Sequence, residues 1–200
     1  MGASCLSCCA SCSRPERLPG IVAAAFPPGN SAGDAAEPAP LPAPPRTAPA
    51  GVPLLVLDTN IWLDLYVFAD PQSAVLDAAL RAGLARAVRC SRTDAELQAV
   101  LARPHFQKRC TPEQAQARLQ DWTTLAQEHA GALRPAPWIC RDPDDQKFLD
   151  LACSSGAQVL LSKDRALLDL ARKSRPQGLH ILNPVQFAAG AASFLPRPRA

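Results

Sequence analysis

Five acids mark this chain: Asp58, Glu96, Asp142, Asp145 and Asp164. Each falls where an apolar, strand-like run gives way to a helical pattern. In an open parallel α/β sheet, such positions gather in the crevice beyond the carboxyl ends of the strands. Carboxylates brought together repel one another and do not all stay ionised without a cation. Hard oxygen donors suit Mg2+ or Mn2+. A divalent ion there lowers the pKa of a water and neutralises charge building on a phosphate, so the pattern reads as a metal-dependent phosphodiesterase. Without the ion the same cluster would repel a phosphodiester, which speaks against an acid–base pair working alone.

Each acid also fits a purely structural reading. Thr93-Asp94-Ala95-Glu96 fits a capping box. Asp142-Pro143 fits a cap followed by Pro at the first helical position, with Asp144 and Asp145 favoured by the helix dipole. Asp164 fits a cap for the helix after it. Asp58 is harder to account for in this way, because it ends a buried run and Asn60 is the more natural cap. Capping explains the acids singly, but it does not require that they share one edge of one sheet. Asp142 and Asp145, three apart, share a helical face.

The elements that must position these residues follow from periodicity. Leu54–Leu57 is a short apolar run, expected as a buried strand. The spacing predicts a helix over 71–82, a strand over 85–90 and a helix over 93–103 stopped by Pro104. A long helix is expected over 112–130, with Pro112 at its first position after Thr111. Residues 131–139, with two prolines, read as a loop with a short strand at its end. A helix over 143–154 closed by Gly156, a strand over 159–162 and a helix over 165–173 follow. The chain then offers a strand over 180–182 and a helix over 184–189. Strands alternating with helices imply an α/β fold: a central parallel sheet of four to five strands, covered by helices on both faces.

Composition bounds the rest. Two hundred residues allow one domain with tails. Hydrophobic residues make up 48% and aromatics only 5%, so the core must be aliphatic. Residues 54–190 carry 16 Lys and Arg against 15 Asp and Glu, which excludes the global basic field of a polycationic nucleic-acid binder. Eleven of the 21 prolines lie in the first 53 positions. Residues 1–52 therefore read as a disordered Cys/Pro/Ala-rich extension, or as the product of a start codon assigned too far upstream. Residues 53–190 read as the folded domain and 191–200 as a flexible tail.

Of eight cysteines, Cys90, Cys110, Cys140 and Cys153 are scattered among apolar residues, as free thiols in a reducing cytoplasm would be. Cys5, Cys8, Cys9 and Cys12 have spacing compatible with a metal, but no second knuckle. The run 54–69 comes closest to a membrane span and is interrupted by Asp58 and Asp64. No basic stretch leads into an apolar one, so a cytoplasmic protein without membrane association is expected. Trp62, Tyr66 and Phe68 follow the first strand and read as core or dimer interface.

Several blocks together resemble the PIN-domain nucleases. Val56-Leu57-Asp58-Thr59-Asn60 resembles that family's opening strand. Glu96-Leu97, with Leu101-Ala102-Arg103-Pro104-His105-Phe106 after it, resembles its second acid and the helix end beyond. Arg141-Asp142-Pro143-Asp144-Asp145-Gln146-Lys147-Phe148-Leu149 resembles the RDPDD-x-KFL block of one subgroup, described as toxins of toxin–antitoxin systems. Leu160-Leu161-Ser162-Lys163-Asp164-Arg165-Ala166-Leu167-Leu168 resembles the fourth acidic motif, and Ile181-Leu182-Asn183-Pro184-Val185-Gln186-Phe187 the closing strand and helix. The third block is the specific one.

The resemblance covers about 54–189 and implies a three-layer α/β/α sandwich that cleaves RNA endonucleolytically with Mg2+ or Mn2+. It implies catalysis or metal ligation by Asp58, Glu96, Asp145 and Asp164. Asp145 is preferred to Asp142 and Asp144 because it lies 11 residues before Gly156 and seven before Ala152, as the family's third acid does. Asn60, Ser162, Asp142 and Asp144 are the supporting residues. A cognate antitoxin and a homodimer are the implied partners. Arg92, Lys147, Lys163 and Arg165 are the candidate contacts to RNA phosphates. Lys163 stands where the family often has a small residue, and solvation is the favoured reading for its charge.

Two other readings compete. A haloacid-dehalogenase-like phosphatase also begins with Asp after a buried strand, but it needs a second Asp where Asn60 stands. A PIN-fold module that binds RNA or protein without cutting would keep the fold and lose the turnover.

Overall fold

A computed structural model describes residues 51–196. Five strands form one parallel sheet: β1 (Leu54–Leu57), β2 (Arg86–Arg89), β3 (Ala126–Glu128), β4 (Val159–Leu161) and β5 (His180–Leu182). Their order across the sheet is β3-β2-β1-β4-β5. The chain works outward from β1 to β3 on one side, then returns to place β4 and β5 on the other. The reversal falls between β1 and β4, where Leu55, Val56 and Leu57 lie opposite Val159, Leu160 and Leu161. In open α/β sheets the crevice at that switch point is where ligands bind.

The central strands are buried on both sides, and alternate residues feed two separate cores. Leu55 and Leu57 of β1, Ala87 of β2, and Val159 and Leu161 of β4 face one layer. That layer holds α1 (Thr59–Leu63), α2 (Ala74–Arg81), α3 (Ser91–Leu101), α4 (Pro104–Gln107), α5 (Pro112–Leu125) and α9 (Pro184–Phe194). Its largest fully buried side chains are Trp62 and Phe187. Val56, Val88 and Leu160 face the opposite layer, where α6 (Gln146–Ser155) and α7 (Arg165–Leu168) supply Phe148, Leu149, Leu151 and Leu167. A sheet between two helical layers is the expected α/β/α sandwich. Cys90, Cys110, Cys140 and Cys153 are free thiols. Among the described residues, no helix is long and apolar enough to cross a membrane.

Several expected boundaries moved. The helix expected over 112–130 ends at Leu125, and Ala126–Glu128 becomes edge strand β3. Ala, Gln and Glu favour helix locally, but Ala126, Gln127 and Glu128 pair with Ala87, Val88 and Arg89. The His129 amide continues that ladder, donating to the Arg89 carbonyl at 2.8 Å. The loop before Asp142 holds no strand. The helix expected over 165–173 is two short ones, α7 and α8 (Ala171–Ser174). α9 extends past 189 to Phe194, whose ring stacks at 6.4 Å on Phe187.

Between α1 and α2 the chain makes a π-helical turn, Asp64–Phe68. Ala69 then takes φ 49°, the described non-glycine residue with positive φ. Trp62 and Tyr66 enter the core, as expected. Phe68 does not: it is 42% exposed, with the Arg109 guanidinium 5.5 Å above its ring. The proposed extension over 1–52 lies almost wholly outside the described residues, as do Cys5, Cys8, Cys9, Cys12 and the last four residues of the proposed tail.

Candidate active site

Asp58 follows β1 directly, and its amide donates to the Leu161 carbonyl at 2.9 Å, so its position is tied to β4. It stands at the N-cap of α1, where its backbone carbonyl accepts from Ile61 and Trp62. Its side chain does not cap. Oδ2 instead accepts from Asn60 Nδ2 at 2.7 Å and from Ser162 Oγ at 2.5 Å. Asn60, expected as the cap, lies inside α1 and joins the site: its Oδ1 accepts the Lys163 amide at 3.2 Å. Ser162 Oγ accepts the Asp164 amide at 2.8 Å. One hydrogen-bonded chain thus connects the ends of β1 and β4 through Asn60 and Ser162.

Asp164 does cap α7, its Oδ1 accepting from the Ala166 amide at 2.6 Å. Asp142 caps the 3-10 turn Pro143–Asp145 by accepting from the Asp144 amide at 2.9 Å. Asp142 and Asp144 are exposed. Asp145, at the junction of that turn with α6, does not cap. Its Oδ2 is buried without a hydrogen-bond partner. Glu96 corrects two expectations. It lies inside α3 rather than at a strand end, and α3 starts at Ser91, so Thr93 is its third residue and bonds back to Cys90. Glu96 therefore takes no part in a capping box.

Several of these acids bear on one another electrostatically. Burial pushes the Asp145 carboxyl up to about 7, with the charges of Asp58, Asp164 and Asp142 adding to it and that of Lys147 opposing it. Burial likewise pushes Asp58 up to about 6, against the hydrogen bonds from Ser162 and Asn60 and with the Glu96 charge adding. An unpartnered, buried carboxylate oxygen beside two more carboxylates fits a hard divalent cation. As they stand, no three acid, His or Cys side chains among the described residues have drawn in to the spacing of a formed ion site. The donors are hard carboxylate oxygens, the type that Mg2+ or Mn2+ takes.

The basic residues divide. Arg165 is 87% exposed beside Asp164, and Arg92 is exposed in the first turn of α3. Lys147 and Lys163 do not present free ammonium groups. Lys163 Nζ lies 2.6 Å from Asp64 and 2.8 Å from Asp70. Burial opposes the Lys163 charge, yet these carboxylates outweigh it and raise the pKa. The expectation of simple solvation is thereby corrected. Lys147 is 7% exposed and paired with Glu96.

Sequence reasoning missed the residues that carry Asp142 and Asp145 into place. Gln146, Asp150 and Ser154 form an i, i+4, i+8 polar stripe on α6. Gln146 Oε1 accepts the Cys140 amide at 2.7 Å, Asp150 Oδ1 the Ala136 amide at 2.9 Å, and Ser154 Oγ the Arg134 amide at 2.7 Å. These bonds satisfy a loop with no ladder of its own. Buried polar residues at helical spacing were the available signal.

Fold and site define a doubly wound α/β protein with an acid cluster at its switch point. A family model for the PIN domain matches residues 54–166. The chain belongs to the PIN-domain family, whose fold is a nuclease fold, and so stands among phosphodiester hydrolases at that coarse level. No curated protein matches it.

Proposed function

We propose that this chain is a metal-dependent endoribonuclease, hydrolysing RNA phosphodiester bonds with an activated water. The observation that carries the reading is Asp145 Oδ2, buried and unpartnered within the fields of Asp58 and Asp164. These three acids would hold the ion. A bound Mg2+ or Mn2+ would supply a water of lowered pKa and neutralise the phosphate's charge. Ser162 and Asn60 hold Asp58 in one orientation by donating to the same oxygen. Asp164 is held from both sides, by Ser162 on its amide and Ala166 on its carboxylate. Arg92 and Arg165 are the cations placed to meet phosphates. Exposed Asp142 and Asp144 stay outside the donor set.

The RDPDD-x-KFL block further supports a toxin of a toxin–antitoxin pair acting in the cytoplasm, with a cognate antitoxin and a homodimer as partners. The test is cleavage of a mixed RNA pool by the full chain with Mn2+, with EDTA, and beside Asp58→Asn. Cutting that requires metal and disappears in Asp58→Asn is the expected result. Metal-independent cutting, or cutting retained in Asp58→Asn, would sink the reading. One observation favours a module that binds without cutting: the acids have not drawn in to ion-site spacing. That module would bind RNA or protein and leave the pool intact with every metal.

A further inference from the structure

Lys147 is unusual among the cations of this chain. It is 7% exposed, and a charge so far from water needs a partner. Its Nζ lies 2.8 Å from Glu96 Oε2, donates to the Asp144 carbonyl, and sits 4.7 Å from the centre of the Phe148 ring. Glu96 comes from α3 and Lys147 from α6, so the pair bridges two helical elements that flank the acids. Its counterparts differ. Asp58, Asp145 and Asp164 have no Lys or Arg within ion-pair distance among the described residues, while Glu96 already has one. Moving Glu96 Oε2 onto a metal would take its carboxylate partner from the buried Lys147 ammonium and set a second cation beside it.

We propose that Lys147 is the resident cation of Glu96, keeping this carboxylate out of the metal shell, so that the site takes one divalent ion on Asp58, Asp145 and Asp164. The inference rests on the metal-dependent reading above and decides the metal count within it. Lys147 is then a positioning residue: it holds Glu96 in place and supplies fixed positive charge where a second ion would otherwise sit.

The test is Mn2+ binding to the full chain, counted by calorimetry and by electron paramagnetic resonance of free Mn2+. Wild type should bind one ion. Glu96→Gln with Lys147→Gln removes the pair without changing net charge or stranding a buried charge. This double variant should still bind one ion, with affinity within about threefold of wild type; removing a true ligand should cost at least the roughly 10- to 100-fold lost with a ligand's own partner. Lys147→Gln alone releases Glu96 and should add a second equivalent or tighten binding about 10-fold. Two ions on wild type, or a 10-fold weaker double variant, would overturn the inference and leave the metal reading standing. Unchanged count and affinity in a folded Lys147→Gln would overturn it as well. No binding to wild type would overturn both.

Discussion

The carboxyl edge of the sheet carries acids near the ends of β1 to β4, and the β2–β3 and β1–β4 pairs treat them in opposite ways. At the β2–β3 half, Arg89 ends the strand and reaches both neighbours: its Nη1 lies 2.5 Å from Asp94 and its Nη2 3.4 Å from Glu128. At the β1–β4 half, the positions after the strands are Asp58 and Ser162, and among the described residues no Lys or Arg lies within ion-pair distance of Asp58, Asp145 or Asp164. The first half is neutralised by the chain itself. The second is left with two carboxyls raised well above the ordinary range. Acids at strand ends are therefore not enough to mark a metal site. The proposed site differs from the β2–β3 half in that none of its three acids is ion-paired.

The sharpest way to break this contrast is Asp58→Asn. Metal-dependent cleavage should fall about 100-fold or more, as expected for losing a group at the ion. The metal-free protein should become more stable near neutral pH, because Asn leaves no charge to desolvate at a position 4% exposed. Thermal melts with and without Mn2+ check both halves; a wild-type Mn2+ shift retained in Asp58→Asn would remove Asp58 from the site.

The pH dependence comes next. Asp58 and Asp145 hold protons in the folded chain at pH values where the unfolded chain has released them. The unfolded state then binds fewer protons, so stability falls as pH rises. The loss begins near the ordinary value of 3.8 and is complete above about 7. It is on the order of a few kcal/mol for the coupled pair. Metal-free melting temperature should decline across that window, and the increase produced by Mn2+ should grow across it. A flat profile would mean the two acids ionise without penalty.

Arg89→Ala tests the other half. Removing the cation between two part-buried carboxylates should cost about 2 kcal/mol, below the range for fully buried pairs, and leave Mn2+ affinity unchanged. If Mn2+ then binds a second time at Asp94 and Glu128, the contrast is sharpened further: internal charge alone would separate the two halves. Lys163→Ala should be the mildest change. Its side chain is 37% exposed and its ammonium pairs with Asp64 and Asp70, so denaturant melts should show a loss of roughly 1 kcal/mol or less.

Much of this was legible in the chain. Leu54–Leu57, Val159–Leu161 and His180–Leu182 are apolar runs too short for helices and bounded by polar breaks, so β1, β4 and β5 were readable. Gly156 closes α6 at φ 71°, a conformation that glycine adopts without a Cβ penalty. Asp58, Asn60, Ser162 and Asp164 could be named because each follows such a run within a few positions. β3 was not readable. Its three residues prefer helix, and only β2, some forty residues earlier, supplies the hydrogen bonds that make them a strand. Phe68 was open for a related reason: spacing allowed core or dimer interface, and the π-helical turn takes it out of the core.

The sequence by itself determined the alternation of elements, the burial of the central strands, and the presence of acids at their ends. Those are local matters: periodicity, turn residues, and the cost of a carboxylate after an apolar run. Which acids act together was decided only by the tertiary structure. Asp142 and Asp145 differ by three positions, yet one caps a turn in solvent and the other keeps a buried oxygen without a partner. Glu96 and Asp94 sit two apart on one helix and find different cations, Lys147 and Arg89. The field at a carboxylate falls with distance and rises with burial, and both are set by neighbours that sequence separation does not reveal.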